Sequence, residues 1–331
     1  MKTLLSEAPG GPDTLVLRDV PQPQPGPGEV RIAVRAIGVN FPDTLIIKDL
    51  YQYRPARPFA PGSELAGVVD AVGPGATGLR VGDRVMALPM WGAMAEAVCL
   101  PAADCHRLPD GVSDAQAAAL QMTYGTALYA LTQRGGLVAG ETVVVLGAAG
   151  GVGLASVELA HALGARVIAC ASTDDKLRVA RDYGADEVLQ YPAGDMDRDA
   201  QRAFATDLRA TLGPDGADIV VDIVGGGYTE PALRCTAWGG RVLIVGFPAG
   251  IARIPANLPL LKSCDIRGVF WGEAIRRDPD SHRGAMQQLL QMVATGRLRP
   301  RIHATYRLAE AGQAIAALSA RGVIGKLLVT P

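Results

Sequence analysis

A strand that runs into a glycine-rich turn and then into a helix constrains this chain more than any other feature. The strand Thr142–Leu146 leads into the turn Gly147-Ala148-Ala149-Gly150-Gly151-Val152-Gly153. Gly150 lets backbone approach a pyrophosphate without an intervening Cβ, Gly153 lets the helix pack close to the strand, and the helix N-terminus offers free N–H groups to phosphate. Ala148 replaces the first glycine of the common G-x-G-x-x-G pattern, but the flanking strand and helix favour a dinucleotide-binding turn over an ordinary tight turn.

Strands and helices alternate through the middle of the chain, which predicts a parallel sheet covered by helices on both faces. The predicted fold class is therefore α/β, with a Rossmann doubly wound parallel sheet in a domain over residues 119–265. The predicted strands are Thr142–Leu146, Arg166–Ala171, Asp186–Gln190, Ala217–Val224 and Gly240–Gly246, with Ile266–Phe270 as a candidate last strand. The predicted helices are Ala115–Arg134, Gly151–Leu163, Asp174–Tyr183 and Asp197–Leu212.

The flanking segments predict a second, β-rich domain. Short strands separated by glycine and proline turns, such as Val30–Val34, fill the chain up to Leu108 and favour a compact barrel. The last segment ends in a predicted strand at Lys326–Val329 and is too short for a domain of its own. We expect it to return to the first domain, so that residues 1–118 and 266–331 form one unit.

Charge and cysteine usage exclude several classes of protein. The chain carries 32 basic and 33 acidic residues, a formal net charge of -1, which gives no reason to expect nucleic acid or a membrane surface as partner. The N-terminal segment lacks an apolar core long enough for a signal peptide. Five scattered cysteines form no CxxC pair and suit a reduced cytoplasm, where we expect the protein to reside.

The end of the second strand of the α/β domain reports on the choice of nicotinamide cofactor. NAD-specific sites usually carry an acid there that binds the ribose 2′-hydroxyl, but this chain has Ala171 followed by Ser172. Lys176 lies in the next turn, where an ammonium would attract a 2′-phosphate. Lys176 could equally be a solvated helix residue, and Asp174 and Asp175 lie close by. Because the acid is missing, NADPH is the favoured cofactor.

Several further segments carry a family resemblance. They are Gly38–Asp43, Pro61–Val69, Val81–Val85, Thr123–Ala127 and Ala148–Gly153. Together these segments resemble the quinone oxidoreductase (ζ-crystallin-like) branch of the zinc-free medium-chain dehydrogenase/reductase superfamily. The resemblance implies a GroES-like catalytic domain next to the Rossmann domain, NADPH as cofactor, and a homodimer built by extending the two Rossmann sheets.

The resemblance also implies roles for individual residues. It implies that Asn40 and Thr126 lie at the nicotinamide, that Ser172, Lys176 and Tyr191 surround the 2′-phosphate, and that an arginine near the C-terminus binds the cofactor. With the glycine turn, the expected cofactor-binding residues are Asn40, Thr126, Gly150, Gly151, Val152, Gly153, Ser172, Lys176, Tyr191 and Arg321. The expected catalytic residues are Asn40, Asp43 and Tyr51. The family pattern also implies that Tyr51, Trp91 and Trp271 contact the substrate, although each would serve equally as ordinary packing.

The zinc ligands of the alcohol dehydrogenases in this superfamily are absent. Asn40 and Ser63 stand at the corresponding positions, and neutral amide and hydroxyl groups compete poorly with thiolate and imidazole for zinc. Without a Lewis acid the protein cannot easily lower the pKa of an alcohol. We therefore expect an acceptor that takes hydride unaided, because the charge that develops on its oxygen is delocalised.

Three functions fit these expectations. The first is an NADPH-dependent quinone or enone reductase, and the alternative is a 2-enoyl-thioester (enoyl-CoA) reductase. The third is a protein that binds NADPH without catalysis. The sequence does not choose between the substrates, because a tyrosine at Tyr51 is expected in both classes of reductase.

Overall fold

The computed structural model describes residues 1–320 and 322–331, which form fifteen strands and eleven α-helices. In chain order the strands β1 to β15 are Lys2–Leu5, Val16–Asp19, Glu29–Val39, Leu65–Val72, Arg84–Ala87, Ala97–Pro101, Cys105–Arg107, Thr142–Leu146, Arg166–Ala171, Glu187–Gln190, Ala217–Asp222, Thr236–Ile244, Asp265–Gly268, Ile302–Arg307 and Lys326–Thr330. The helices α1 to α11 are Phe41–Ile46, Asp114–Ala117, Thr126–Leu128, Gly151–Ala162, Asp174–Asp182, Arg198–Leu212, Thr229–Arg234, Asn257–Lys262, Trp271–Arg277, Pro279–Ala294 and Ala311–Ser319.

The chain divides into two compact units. The first unit contains residues 1–122 and 283–331, and the second contains residues 123–282. The sequence placed the second boundary at residue 266, but strand β13 pairs in parallel with β12 and so belongs to the sheet of the second unit. The chain therefore returns to the first unit later than the sequence suggested.

The second unit is built on a six-stranded sheet in the order β10-β9-β8-β11-β12-β13, in which every neighbouring pair is parallel. Counted from β8 this is the order 3-2-1-4-5-6, so the predicted Rossmann sheet is confirmed. The β-branched residues Val143, Val144 and Val145 of β8 are fully buried, as a central strand covered on both faces requires. Strand order reverses between β8 and β11, and ligands of such sheets bind outside the carboxyl ends of the strands at that point.

The helix predicted at Ala115–Arg134 is broken into shorter pieces. π-helical turns at Gln121–Gly125 and Tyr129–Arg134 flank the short helix α3. Glycine is a poor helix former, and the indole of Trp271 packs so closely on Gly125 that a Cβ there would overlap the ring. Sequence periodicity reports the helical character of this segment, but it does not report the tertiary contact.

The first unit contains a mainly antiparallel sheet. Its strand order is β14-β15-β3-β4-β5-β7, and β6 also pairs with β3. The last strand, β15, lies antiparallel to β3 and parallel to β14, so the C-terminal segment completes this sheet. Strand β3 carries Ile32 and Ile37, both fully buried, into the core of the unit.

A glycine in β3 permits close packing around the buried carboxylate of Glu64. A Cβ added at Gly38 would overlap the carbonyl oxygen of Ala118 and would lie 2.6 Å from Oε2 of Glu64. We expect Gly38→Ala to lower the free energy of unfolding by about 1–3 kcal/mol, because neither the backbone nor the buried carboxylate can move aside easily. Chemical denaturation monitored by circular dichroism measures the change.

Gly284 provides the matched control for this prediction. It lies in helix α10, where an added Cβ would meet open space. Gly284→Ala is expected to stabilise the protein by about 0.4–1 kcal/mol, because alanine has the better helix propensity. Equal effects of the two substitutions would contradict the packing argument.

Candidate active site

The first group of expected site residues lies where β3 ends and helix α1 begins. Asn40 is the N-cap of α1, and its backbone N–H donates to Oδ2 of Asp43 at 2.7 Å. Oδ1 of Asp43 accepts the backbone N–H of Gly62 at 3.3 Å. Burial raises the pKa of Asp43 to about 6, against the lowering effect of these hydrogen bonds and of the Lys326 charge. Asp43 therefore fixes two backbone segments next to Asn40.

A buried ion pair contacts the side chain of Asn40. The ammonium of Lys326 donates to Oε2 of Glu64 at 2.6 Å and also to Oδ1 of Asn40. The side chains of Lys326 and Glu64 are only 5% and 0% exposed. Oε1 of Glu64 accepts the backbone N–H of Met122 at 2.9 Å. We call Asn40, Glu64 and Lys326 the lysine cluster.

The lysine cluster uses almost all the hydrogen-bonding capacity of Asn40. Nδ2 of Asn40 donates to the carbonyl oxygen of Gly38 at 3.1 Å and to Oε2 of Glu64 at 3.2 Å. Oδ1 accepts from Lys326, and a carbonyl oxygen has two lone pairs. One acceptor position on Oδ1 is therefore the capacity that remains for a ligand.

Tyr51 lies in the same unit. It is half-buried, packs against the core of the first unit, and its ring centroid lies 5.9 Å from that of Tyr53. Burial raises the pKa of the phenol above its ordinary value, and the nearby Tyr53 and Asp43 raise it further. Tyr51 therefore keeps its proton at neutral pH and has the chemistry of a hydrogen-bond donor.

The glycine turn in the second unit has the geometry of a phosphate cradle. Gly147 follows β8 with φ of 74°, a left-handed conformation that glycine adopts readily. A Cβ on Gly153 would overlap the carbonyl oxygen of Gly147, so close packing excludes any larger residue there. Gly150 is the N-cap of α4, and Gly151 and Val152 are its first residues. These residues fit the pyrophosphate of a dinucleotide.

The end of β9 holds a preassembled pair of polar groups. Nζ of Lys176 donates to Oγ of Ser172 at 3.2 Å. Thr173 caps helix α5 and so places Lys176 in its first turn. Asp175 accepts from Arg178 at 2.8 Å, so its charge is paired with another cation of the same helix. The pair of an ammonium and a hydroxyl fits an adenosine 2′-phosphate.

Tyr191 lies deeper than a phosphate ligand would require. It follows β10, is buried, and packs edge-on against Tyr228 and Phe204 with centroid distances of 4.8 and 5.8 Å. Burial raises the pKa of its phenol above the ordinary value. Its backbone N–H donates to the carbonyl oxygen of Ala171, so Tyr191 supports the end of β9.

The other expected residues occupy varied environments. Thr126 is the half-buried first residue of α3, two residues after Tyr124, whose hydroxyl donates to Oε2 of Glu158 at 2.6 Å. Trp271 is buried against Gly125, which is the packing alternative for that residue, whereas Trp91 is exposed. The expectation for Arg321 lies outside the described residues.

Comparisons with known proteins match this architecture. Residues 26–110 match the alcohol dehydrogenase GroES-like domain, and residues 151–295 match the zinc-binding dehydrogenase domain. Quinone oxidoreductase-like protein 2 of Bos taurus is 36% identical over 96% of this chain and 89% of its own length. Quinone oxidoreductase of Pseudomonas aeruginosa is 36% identical over 100% of this chain and 99% of its own. The chain belongs to the quinone oxidoreductase branch of the medium-chain dehydrogenase/reductase superfamily.

A solved structure of the same superfamily supports both the fold and the assignment. The mycobacterial protein Rv1454c, solved in complex with NADPH, superposes with a TM-score of 0.90 at 34% identity, with all of both chains covered. The expected combination of a GroES-like catalytic domain and a Rossmann domain is therefore confirmed in this quinone oxidoreductase family member.

The zinc ion named in one matching domain does not fit the residues of this chain. Oδ1 of Asn40 is bonded to the ammonium of Lys326, which would repel a metal cation, and Ser63 offers only a buried hydroxyl. Throughout residues 1–320 and 322–331, no three histidine, cysteine or acidic side chains are grouped so that they could ligate a metal. No step of the chemistry is therefore assigned to zinc.

Sequence reasoning missed the two charged members of the lysine cluster. The sequence pattern indicates Glu64 only as part of the segment Pro61–Val69 and Lys326 only as the start of a strand. Each is a lone charge at the head of an apolar strand, in Glu64-Leu65-Ala66 and Lys326-Leu327-Leu328. Opposite charges in such places signal a buried pair, because an unpaired charge would not be tolerated there.

Proposed function

We propose that this chain is an NADPH-dependent reductase that transfers hydride to a quinone or an activated enone without a metal ion. The observation that carries the cofactor assignment is the Lys176–Ser172 pair at the end of β9, where an NAD-specific site would have an acid. The family membership and the NADPH complex of the mycobacterial relative support the same reading.

The reduced nicotinamide of bound NADPH supplies the hydride. The glycine turn binds the pyrophosphate, and Ser172 and Lys176 bind the 2′-phosphate. Asn40 offers its remaining Oδ1 acceptor position to the nicotinamide end of the cofactor. Thr126, the first residue of α3, is the second residue that we assign to the nicotinamide. Tyr51 donates a hydrogen bond to the acceptor oxygen, on which negative charge develops.

The cofactor preference is tested at Lys176. Lys176→Ala should weaken the binding of NADPH by about 1.5–3 kcal/mol, roughly ten- to a hundredfold in affinity, because a charge-assisted contact to the 2′-phosphate is lost. The kcat/KM for NADH should change little, because NADH lacks that phosphate. Steady-state kinetics with both cofactors measures the two effects.

Arg178→Ala is the matched control, because it removes the same charge from helix α5 at a residue paired with Asp175. We expect it to leave the NADPH preference unchanged. Equal kcat/KM for the two cofactors in the wild type, or equal effects of the two variants, would remove the support for NADPH.

Metal independence is tested by chelation. Exhaustive dialysis against EDTA should leave kcat unchanged, because Asn40 and Ser63 are poor zinc ligands and the ammonium of Lys326, which donates to Oδ1 of Asn40, would repel a cation. Metal analysis of the active protein should find zinc far below one equivalent. Loss of activity that added zinc restores would show the proposal to be wrong.

Substrate class is tested with Tyr51→Phe. A quinone reduced by hydride yields a stabilised anion that water protonates, so the loss should be about 0.5–1.5 kcal/mol, roughly two- to tenfold in kcat/KM. An enoyl thioester yields an enolate that needs a positioned proton donor, which is worth roughly 10²–10⁴-fold. The measurement compares an ortho-quinone, an enone and crotonyl-CoA in wild type and variant.

Tyr53→Phe serves as the control for this series, because its ring neighbours Tyr51. A loss beyond a hundredfold in Tyr51→Phe, with crotonyl-CoA turned over better than any quinone, would favour the enoyl-thioester reductase. Saturable NADPH binding with no turnover of any acceptor would favour the non-catalytic alternative.

We further propose that the protein is a cytoplasmic homodimer. Strand β13 is the edge of the Rossmann sheet, and exposed edges of this kind are usually covered. The segment from β12 to β13 also carries exposed apolar side chains, namely Trp238, Ile251, Leu260, Leu261 and Ile266. The described residues include no helix with the length and apolarity to cross a bilayer, and the five cysteines are free thiols.

The dimer is tested by light scattering of Ile266→Lys, which places a charge on the β13 edge. We expect the wild type to have the mass of two chains. The variant should dissociate into monomers at a higher protein concentration than the wild type does. Val138→Lys, at an exposed apolar residue elsewhere in the second unit, should remain dimeric. A monomeric wild type would contradict the proposal.

A further inference from the structure

The lysine cluster places two charged side chains, Glu64 and Lys326, in the core of the first unit. Replacing a buried ion pair with apolar residues of similar volume is often neutral or stabilising, so burial alone gives no reason for Glu64 and Lys326. Space is nevertheless reserved for both, because a Cβ on Gly38 would lie 2.6 Å from Oε2 of Glu64 and 2.9 Å from Cε of Lys326. The pair therefore calls for an explanation other than stability.

The contacts of Asn40 provide an explanation for the buried pair of charges. Glu64 can only accept and Lys326 can only donate, so the two charged groups distinguish the two ends of the Asn40 amide. Oδ1 must face the ammonium, and Nδ2 must face the carboxylate and the carbonyl oxygen of Gly38. A rotation of the amide by 180° would turn the N–H groups of Nδ2 toward the Lys326 ammonium and Oδ1 toward the Glu64 carboxylate, and both contacts would be repulsive. With an apolar pair, the hydrogen bond to the carbonyl oxygen of Gly38 would have to favour this orientation without help from either charge.

We propose that Lys326 is a positioning residue that holds the Asn40 amide in one orientation, so that Oδ1 presents a single acceptor to the nicotinamide end of the cofactor. Glu64 completes the device by holding Lys326 and accepting from Nδ2. The inference rests on the proposed role of Asn40 at the nicotinamide. It assigns to this chain's C-terminal strand a part in cofactor orientation.

The central experiment removes the charges together. Lys326→Met alone leaves Glu64 buried and unpaired, so its instability would be uninformative. The double variant Glu64→Gln/Lys326→Met is neutral and close in volume, and it should unfold at nearly the wild-type temperature. It should bind NADPH roughly two- to tenfold more weakly, since the two charges that orient the Asn40 acceptor are lost. Its affinity for 2′,5′-ADP, which lacks the nicotinamide, should remain that of the wild type.

Asn40→Ala shows whether Lys326 acts through Asn40. In the wild type it should weaken NADPH binding by a similar factor, and in the double-variant background it should add almost nothing. Additive losses would overturn the proposal, as would wild-type NADPH affinity and kcat/KM in a folded double variant. A parallel loss of 2′,5′-ADP affinity would also overturn it, because that result indicates a general structural defect.

A second variant keeps the test decisive if the double variant fails to fold. Glu64→Gln/Lys326→Gln retains an N–H donor toward Oδ1 of Asn40 and an acceptor toward Nδ2. It should bind NADPH more tightly than any folded form of Asn40→Ala, and a loss equal to that of Asn40→Ala would overturn the proposal. Failure of the proposed function is recognised separately, because the wild type itself would then neither bind nor oxidise NADPH.

Discussion

The buried ion pair between Glu64 and Lys326 is the interaction that connects Asn40 to distant segments of the catalytic unit. It joins residues 262 positions apart and links β15, the start of β4 and the backbone at Met122. Removing one partner of such a pair typically costs about 3–5 kcal/mol, because the other charge remains buried. The pair therefore constrains both the closure of the sheet by the C-terminal strand and the residue that follows β3, Asn40.

The Rossmann unit relies on a different constraint, which is the absence of side chains. Gly147 adopts a left-handed conformation, and Gly153 lies where any Cβ would overlap the Gly147 carbonyl oxygen. Both requirements follow from packing helix α4 directly on the end of β8. The result is a helix N-terminus at the point where strand order reverses, and a helix N-terminus in that place suits a pyrophosphate.

The proposed chemistry suits a site that has a resident cation but no metal. In the zinc-dependent relatives a metal ion polarises the substrate oxygen. Here the cation next to Asn40 is an ammonium that is paired with Glu64 and donates to two protein acceptors. Such a group orients its neighbours more than it activates a substrate. Acceptors that delocalise the incoming electron pair, such as quinones, are compatible with this limitation.

Local pattern was sufficient to predict the α/β class, the glycine turn and most strands of the Rossmann sheet. Strands such as Thr142–Leu146 and Arg166–Ala171 were identified to the residue, because buried parallel strands are continuous apolar runs bounded by turns. The missing acid at Ala171 was equally a local signal. The sequence pattern did not predict helices α7 and α8, because each has only six residues and periodicity over so short a segment is weak.

The sequence by itself determined which residue types are present at the glycine turn, and it showed Asn40 and Ser63, two poor zinc ligands, where the family resemblance implies ligands in the zinc-dependent relatives. The tertiary structure decided how Asn40 is held, that Tyr191 is buried beneath the end of β9, and that strand β13 extends the Rossmann sheet. The physical reason is distance along the chain. A hydrogen bond between Lys326 and Asn40 spans 286 positions, and no local periodicity or propensity encodes a contact of that separation.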